Sequence, residues 1–319
     1  MKKIIVFILI VFLYSQDLVD IYRTKGENAV IKAMEKRLQS SKYWLNKLKN
    51  TDVTYGYYEK TKNILLCVKE KKVLNVFSYN GGKIKKLDTI NVLTGLEGDK
   101  EKEGDLKTPV GVYRLVSLLN DVDEFYGPFA FETSYPNMFD RINDKNGHGI
   151  WIHGVPLDGK RESNNTKGCI IMQNDKLRKL KNEIDYKNTY LLISEENVLT
   201  TDKNEIARVL AFIYKWRYAW KNSDFDKYKK LYSDRFRRSD GKNLKEFLEY
   251  KKRVFQSKKG QKISIFFKNI NIIPYQNING HKIFRIDMYE VYKSKNYNYS
   301  GRKELYVVVN GDIKIVAEK

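Results

Sequence analysis

A chain of 319 residues, 42% apolar and 13% aromatic, is long enough for two domains and too apolar to stay disordered. Its 60 Lys and Arg against 39 Asp and Glu give a formal net charge of +21. Such a field favours an anionic partner (nucleic acid, an acidic membrane surface, or an acidic polymer such as cell wall), with a merely solvated lysine-rich surface as the alternative.

The first predicted element is an export signal. Lys2 and Lys3 precede an apolar run over residues 4–14, and Ser15 and Gln16 follow. The run is shorter than the roughly 20 residues a membrane span needs. Leu13-Tyr14-Ser15 is a poor cleavage site, so an uncleaved anchor is the alternative. Export removes nucleic acid from the partner list and leaves the envelope, the cell wall above all. Residues 17–50 then read as helix, with Ile31, Met34, Leu38, Leu45 and Leu48 on one face, an N-terminal arm over residues 17–53 that packs on something.

From residue 54 the apolar period shortens. Runs at 64–68 and 73–79 flank Lys69-Glu70-Lys71-Lys72 and predict a hairpin. Gly81-Gly82 marks a further turn, and a strand is expected over 87–93, ending at Gly95. Lys107-Thr108-Pro109 leads into a strand at 110–115. Short strands follow at 150–152 and 170–172, then a helix over 175–182 and a closing strand at 190–193. Many short strands with Gly-rich turns predict a β-rich sandwich or barrel over residues 54–198. Residues 199–319 differ. An amphipathic helix at 205–220 precedes a short helix at 225–232, capped by Ser223-Asp224, and a third at 244–255. Long strands are expected at 263–273, 282–292 and 304–315, the last turned by Asn310-Gly311. The fold class is α+β throughout.

Chemistry concentrates between residues 148 and 172, which read His-Gly-Ile-Trp-Ile-His-Gly, a polar stretch, and Thr-Lys-Gly-Cys-Ile-Ile-Met. His153 stands 16 residues before Cys169, in a chain with three histidines and two cysteines. A thiol needs a base to become a thiolate at neutral pH, and histidine is the usual one. Gly168 permits a tight turn that aims backbone amides at a developing oxyanion. Cys67 lies in an apolar run and reads as a small buried hydrophobe. Two cysteines make no disulfide framework, although an oxidising compartment permits a bond between them that would block the thiol. His148 either lines a substrate cleft or faces solvent. His281, in a turn, has no assigned role. No cluster of His, Cys and acidic residues predicts a metal, and no cofactor is expected.

His153-Gly154 followed by Thr166-Lys167-Gly168-Cys169-Ile170 resembles the signature of the L,D-transpeptidase (YkuD-like) catalytic domain. Lys107-Thr108-Pro109-Val110-Gly111 is similar to that family's upstream strand, and Gly95 to its glycine before the substrate loop. The chain departs from the family twice. Lys167 stands where the family usually has His, and Ile171 where it usually has Arg. The resemblance implies a nucleophilic Cys169, with His153 as base, oriented by the Gly154 carbonyl. It implies Gly168 or Cys169 amides at the oxyanion. Thr166 and Lys167 adjoin the nucleophile and read as substrate contacts, with ordinary loop residues as the alternative. Lys167 or Arg161 would replace the missing arginine at the substrate carboxylate.

The C-terminal part, with Trp216-Arg217-Tyr218-Ala219-Trp220, Asp224, Tyr232-Ser233 and Gly311-Asp312-Ile313-Lys314-Ile315, resembles the nuclear-transport-factor-like (SnoaL-like) cone. That fold commonly encloses a cavity, which makes a sugar or peptide its implied ligand. Trp216, Trp220 and Tyr232 are more simply core. The two-domain arrangement resembles periplasmic L,D-carboxypeptidases that trim peptidoglycan stem peptides. It implies removal of terminal D-alanine from a tetrapeptide stem and an effect on cell shape. Amine resolution of the same acyl-enzyme, an L,D-transpeptidase, is the alternative; a non-catalytic wall-binding scaffold is the alternative of another class.

Overall fold

The computed structural model describes residues 17–159, 166–276 and 282–319. The expected export signal lies outside the described residues, and among them no helix is long and apolar enough to cross a membrane. Two helices open the chain, α1 (Leu18–Leu38) and α2 (Ser41–Lys47), started by the side chains of Asp17 and Ser40, which accept from the N–H groups of Val19 and Tyr43. The apolar face expected of this arm is only partly used. Leu48 is buried, but Ile31, Met34 and Leu45 are exposed. The arm docks instead through polar and aromatic groups. Buried Glu35 pairs with Arg217 and with Lys221 at 3.0 Å, and Trp44 stacks on Tyr214 at 5.3 Å.

Strand β1 (Tyr57–Tyr58) follows, then β2 (Lys62–Val68), β3 (Val73–Asn80) and β4 (Lys83–Asn91), a meander turned at the predicted places. Next come β5 (Gly111–Leu119), β6 (Ala130–Thr133), α3 (Met138–Ile142), β7 (Trp151–His153), β8 (Ile170–Ile171), α4 (Asn174–Glu183) and β9 (Thr189–Ser194). Strands β2 to β9 form one sheet in the order β4-β3-β2-β9-β5-β6-β7-β8. The expected closing strand at 190–193 sits in the middle of this sheet, parallel to β2 and antiparallel to β5. The apolar run of β9 is continuous because both its faces are covered. On one face, Leu65, Cys67, Tyr113, Phe131, Ile152, Ile170 and Leu191 pack with Leu177 and Leu180 of α4.

The rest comprises α5 (Lys203–Lys221), α6 (Phe225–Lys229), β10 (Tyr232–Arg238), α7 (Leu244–Ser257), β11 (Ser264–Gln276), β12 (Lys282–Ser294), β13 (Tyr297–Asn310) and β14 (Asp312–Glu318). The second sheet runs β1-β11-β12-β13-β14-β10. Two expectations change here. The short helix stops at Lys229, and Tyr232 begins a strand parallel to β14. The last expected strand is a hairpin of two, β13 and β14, that turns at Gly311. Tyr57 and Tyr58, from the span expected to be catalytic domain, pair with Ile272 and Asn271.

The two sheets share a core. Ile64, Leu66, Val112 and Leu192 of the first meet Ile273, Tyr275, Ile283 and Tyr306 of the second. Inside the C-terminal cone a buried lysine, Lys251, lies among aromatic rings, its Nζ 4.7 Å from Trp220, 5.4 Å from Phe247 and 5.6 Å from Tyr228. Burial pushes Lys251 down to about 8, against the pull of Glu318. The unfolded chain thus holds a proton between pH 8 and 10 that the folded one has released. Stability contributed by this group rises with pH across that window. Chemical denaturation should show a rise from pH 8 to 10 in the wild type and a flatter profile in Lys251→Met. Equal slopes would contradict it.

Candidate active site

Strands β7 and β8 are parallel, with Ile152 opposite Ile170 and His153 opposite Ile171. One step back along this ladder, Cys169 lies opposite Trp151. Ile152 and Ile170 point into the core, so the pleat turns Trp151, His153 and Cys169 to the other face. His153 and Cys169 are then diagonal neighbours, a relation that places Cβ atoms about 7 Å apart, within reach of an imidazole and a thiol. The polar stretch between them, which contains Arg161, lies outside the described residues over 160–165.

The sulfur meets two backbone groups. The Trp151 N–H donates to Cys169 Sγ at 3.5 Å, and Gly149 O lies 3.5 Å from it on the other side. An N–H aimed at sulfur favours the thiolate over the thiol. His153 is 2% exposed, and its Nδ1 stands 2.7 Å from Gly154 O. With the proton on Nδ1 donated there, Nε2 carries the lone pair. Tyr126 packs edge-on against the imidazole at 5.0 Å and narrows its freedom further. Gly154 is held close to α4: a Cβ there would come within 1.9 Å of Asn174 Oδ1.

The cysteine loop is fixed from below by two threonines. Thr108, fully buried, accepts from the Gly95 N–H at 2.8 Å and donates to Gly168 O at 2.9 Å. Thr166 Oγ1 donates to Cys169 O at 2.7 Å and accepts from the Gly168 N–H at 3.0 Å. That last bond engages the Gly168 amide with Thr166, so of the two amides put forward for an oxyanion the Cys169 N–H is the one favoured. Thr166 is likewise buried and structural in place. Lys167 is exposed beside the sulfur loop. His148 is 72% exposed in its side chain and lies 3.4 Å from Glu103, out on the surface. Thr108 is the residue that motif reading quoted without a role; its signal is a hydroxyl beside Pro109, in the strand approach to Gly168.

Gly168 has φ +120, and a Cβ there would stand 2.6 Å from Lys107 O. Backbone cannot yield cheaply at that distance. Gly168→Ala should cost roughly 1–3 kcal/mol of strain and displace the adjacent sulfur. A shift of the order of 1 Å lowers turnover by about 100-fold. Paired measurements of kcat/KM and thermal midpoint check this; unchanged turnover would show that the loop tolerates the displacement.

Cys67 is fully buried on β2, and burial pushes its thiol up to about 12. It forms no disulfide with Cys169. Among the described residues, no group of His, Cys, Asp and Glu is arranged to hold a metal ion.

A curled sheet with a Cys and His on one ladder, followed by a helix-lined cone, defines a YkuD catalytic domain joined to an NTF2-like domain. The family model for the L,D-transpeptidase catalytic domain matches residues 62–193, and that for the Cds6 C-terminal NTF2-like domain matches residues 208–319. The chain belongs to the family of the helical cell shape determining protein Pgp2. It is 40% identical to Campylobacter jejuni Pgp2, covering 88% of this chain and 99% of that one, with TM-score 0.83. A point variant of that protein superposes at TM-score 0.85 with the same identity, covering 89% of this chain and 99% of the other. Bdellovibrio bacteriovorus Bd1075 is 29% identical over 85% of this chain and 96% of its own, at TM-score 0.66. No curated protein sequence matches the chain.

Proposed function

We propose that the chain is a periplasmic peptidoglycan L,D-carboxypeptidase that removes terminal D-alanine from tetrapeptide stems and so affects cell shape. The single observation that carries this reading is the shared face of His153 and Cys169, with Trp151 N–H on the sulfur. Cys169 Sγ attacks the carbonyl of the L,D-amide while His153 Nε2 takes the thiol proton. The tetrahedral oxyanion forms next to the Cys169 amide, a type of contact worth a few kcal/mol. Collapse breaks the C–N bond, and the imidazolium gives its proton to the departing D-alanine nitrogen. His153 then deprotonates a water, which attacks the thioester. The tripeptide stem leaves, and the thiol regains its proton.

The relatives' name, helical cell shape determining protein, supports the shape role. The Lys167-Gly168-Cys169 variant resembles the trimming subgroup of the family and supports trimming over cross-linking. Lys167 and Arg161 remain the proposed contacts of the substrate carboxylate. The NTF2-like domain is proposed to hold another portion of the same polymer, a sugar or peptide. The export signal over residues 1–16 supports the periplasmic location.

Mass spectrometry of stems from purified sacculi tests the reaction. Loss of tetrapeptide with matching tripeptide and free D-alanine is expected. New cross-links without free D-alanine in excess would make the chain a transpeptidase. No change in either, with intact binding to sacculi, would make it a scaffold.

A further inference from the structure

Where the two sheets meet, the shared core does not fill the junction. Two cavities, of about 230 Å³ and about 240 Å³, remain between β5 and β13. Each has a volume equal to roughly eight waters at 30 Å³ apiece. Arg114 from β5 and Arg302 from β13 line both, so the two spaces share one cationic wall. Arg141 and Arg285 join the first cavity, and Lys62 and Lys187 the second.

The carboxylates present do not answer this charge. Glu304 in the first cavity and Asp287 in the second are both paired with Arg285, at 3.4 Å and 3.2 Å. Glu304 also accepts from Tyr306 and Asp287 from Tyr190. Among the described residues, Arg114, Arg141 and Arg302 form no ion pair with any carboxylate. Arg114 is the most exposed to this deficit. Its Nε is buried and donates to no protein group among those described. Burial, and then repulsion from Arg302, disfavours its charge, and the pull of Asp287, already paired with Arg285, only partly offsets them. A half-buried guanidinium with an orphaned donor and cationic neighbours is costly unless an anion meets it.

We infer that this interdomain junction is an oxyanion-binding site, taking a carboxylate or phosphate group between Arg114 and Arg302. A guanidinium offers parallel N–H donors in a fork that matches two oxygens of such a group. Two forks from opposite domains close on one anion and hold the domains together through it. The site also lies on the catalytic side of the sheet. The Ser134 N–H donates to Arg114 O and the Arg114 N–H donates to Ser134 Oγ; Glu132, two residues before Ser134 on the same face, pairs with Trp151, beside Cys169. Three strand spacings, roughly 14 Å, separate the Arg114 strand from the cysteine loop. A ligand seated here is therefore near the catalytic cleft without occupying it.

Isothermal titration of the full chain carrying Cys169→Ala, which prevents turnover, reads this site directly. The two probes are inorganic phosphate and a stem tetrapeptide with free carboxylates. The expected result is binding of at least one probe that weakens tenfold or more in Arg302→Gln and in Arg114→Gln/Arg302→Gln. Loss for phosphate alone assigns a phosphate group, and loss for the peptide assigns a carboxylate. Arg302 is exposed, so its single variant keeps the fold and guards against a misfolded double variant. Binding of neither probe, or a change under tenfold for both, overturns the inference. D-alanine release by the same arginine variants with Cys169 intact is read separately, so failure of the carboxypeptidase reading does not touch the outcome.

Discussion

Cys169→Ala is expected to lower kcat/KM for D-alanine release by at least about 10⁴-fold, since the acyl-enzyme forms on its sulfur. The thermal midpoint should hardly move. Cys169 is half-buried, and the contacts of its sulfur with the Trp151 N–H and Gly149 O are long ones at 3.5 Å. Those are bonds of the weak kind, and a methyl group fits where the thiol stood. His153→Ala should cost nearly as much turnover, because thiol and imidazole act as a unit and their losses do not add. Alkylation separates the two cysteines. Iodoacetamide should modify Cys169 and leave Cys67, which is fully buried with its thiol pushed up to about 12. Retention of more than a few per cent of activity in Cys169→Ala would remove the acyl-enzyme from the mechanism. Rapid labelling of Cys67 would mean that the core around β2 opens.

The placement of His153 and Cys169 at the ends of short apolar strands is legible in the sequence, because glycines mark both runs. The ladder partner itself is not. Apolar period tells which face of a segment is buried, never which distant strand lies beside it. So β9 reads as an edge from its position and turns out central, between β2 and β5. Strand β6 escaped notice because its four residues are too few to show a period. Tyr232 looked helical because it falls four residues after Tyr228, and the two rings do meet, at 5.0 Å, although across a helix–strand turn. The arm failed differently. Ile31, Met34 and Leu45 share a helical face, yet Glu35 is what the fold buries, since Arg217 awaits it. The same blindness hides the interdomain charges. Residues 283–288, Ile-Phe-Arg-Ile-Asp-Met, contain two charges and suggest a partly wet strand. Instead both faces are covered, Phe284, Ile286 and Met288 by the cone and Ile283 by the catalytic sheet. Arg285 and Asp287 share the face of Ile283 and are buried with it.

Arg285→Ala is accordingly expected to have the largest effect on stability, a loss of about 3–5 kcal/mol. Arg285 is 1% exposed and ties three elements together. Its Nη1 donates to Val112 O of β5 at 2.7 Å, its Nε to Asp287 at 3.2 Å, and its Nη2 lies 3.4 Å from Glu304. The carbonyl is the lesser loss, because Asn137 Nδ2 still donates to Val112 O at 3.1 Å. The cost comes from two buried carboxylates stripped of their cation. The sign of the pH dependence identifies this cause. Burial alone would push the Asp287 carboxyl up, but Arg285, helped by the Tyr190 hydroxyl, holds it below the usual range. In the wild type that carboxylate contributes stability above about pH 4, the unfolded value, and loses it on acidification. Without Arg285 burial prevails and the folded carboxyl binds its proton more tightly than the unfolded one. The variant's stability contribution from Asp287 is then present at low pH and lost as pH rises. The deficit of Arg285→Ala should therefore shrink between pH 7 and pH 4.5. Pairing Arg285→Met with Asp287→Leu should cost less than the sum of the singles, since each removes the other's unpaired charge. Urea denaturation of the wild type, Arg285→Ala, the two cycle singles and their double variant at both pH values measures all of this. A deficit that is independent of pH, together with strict additivity, would mean that Arg285 holds the domains by its packing and not by its charge.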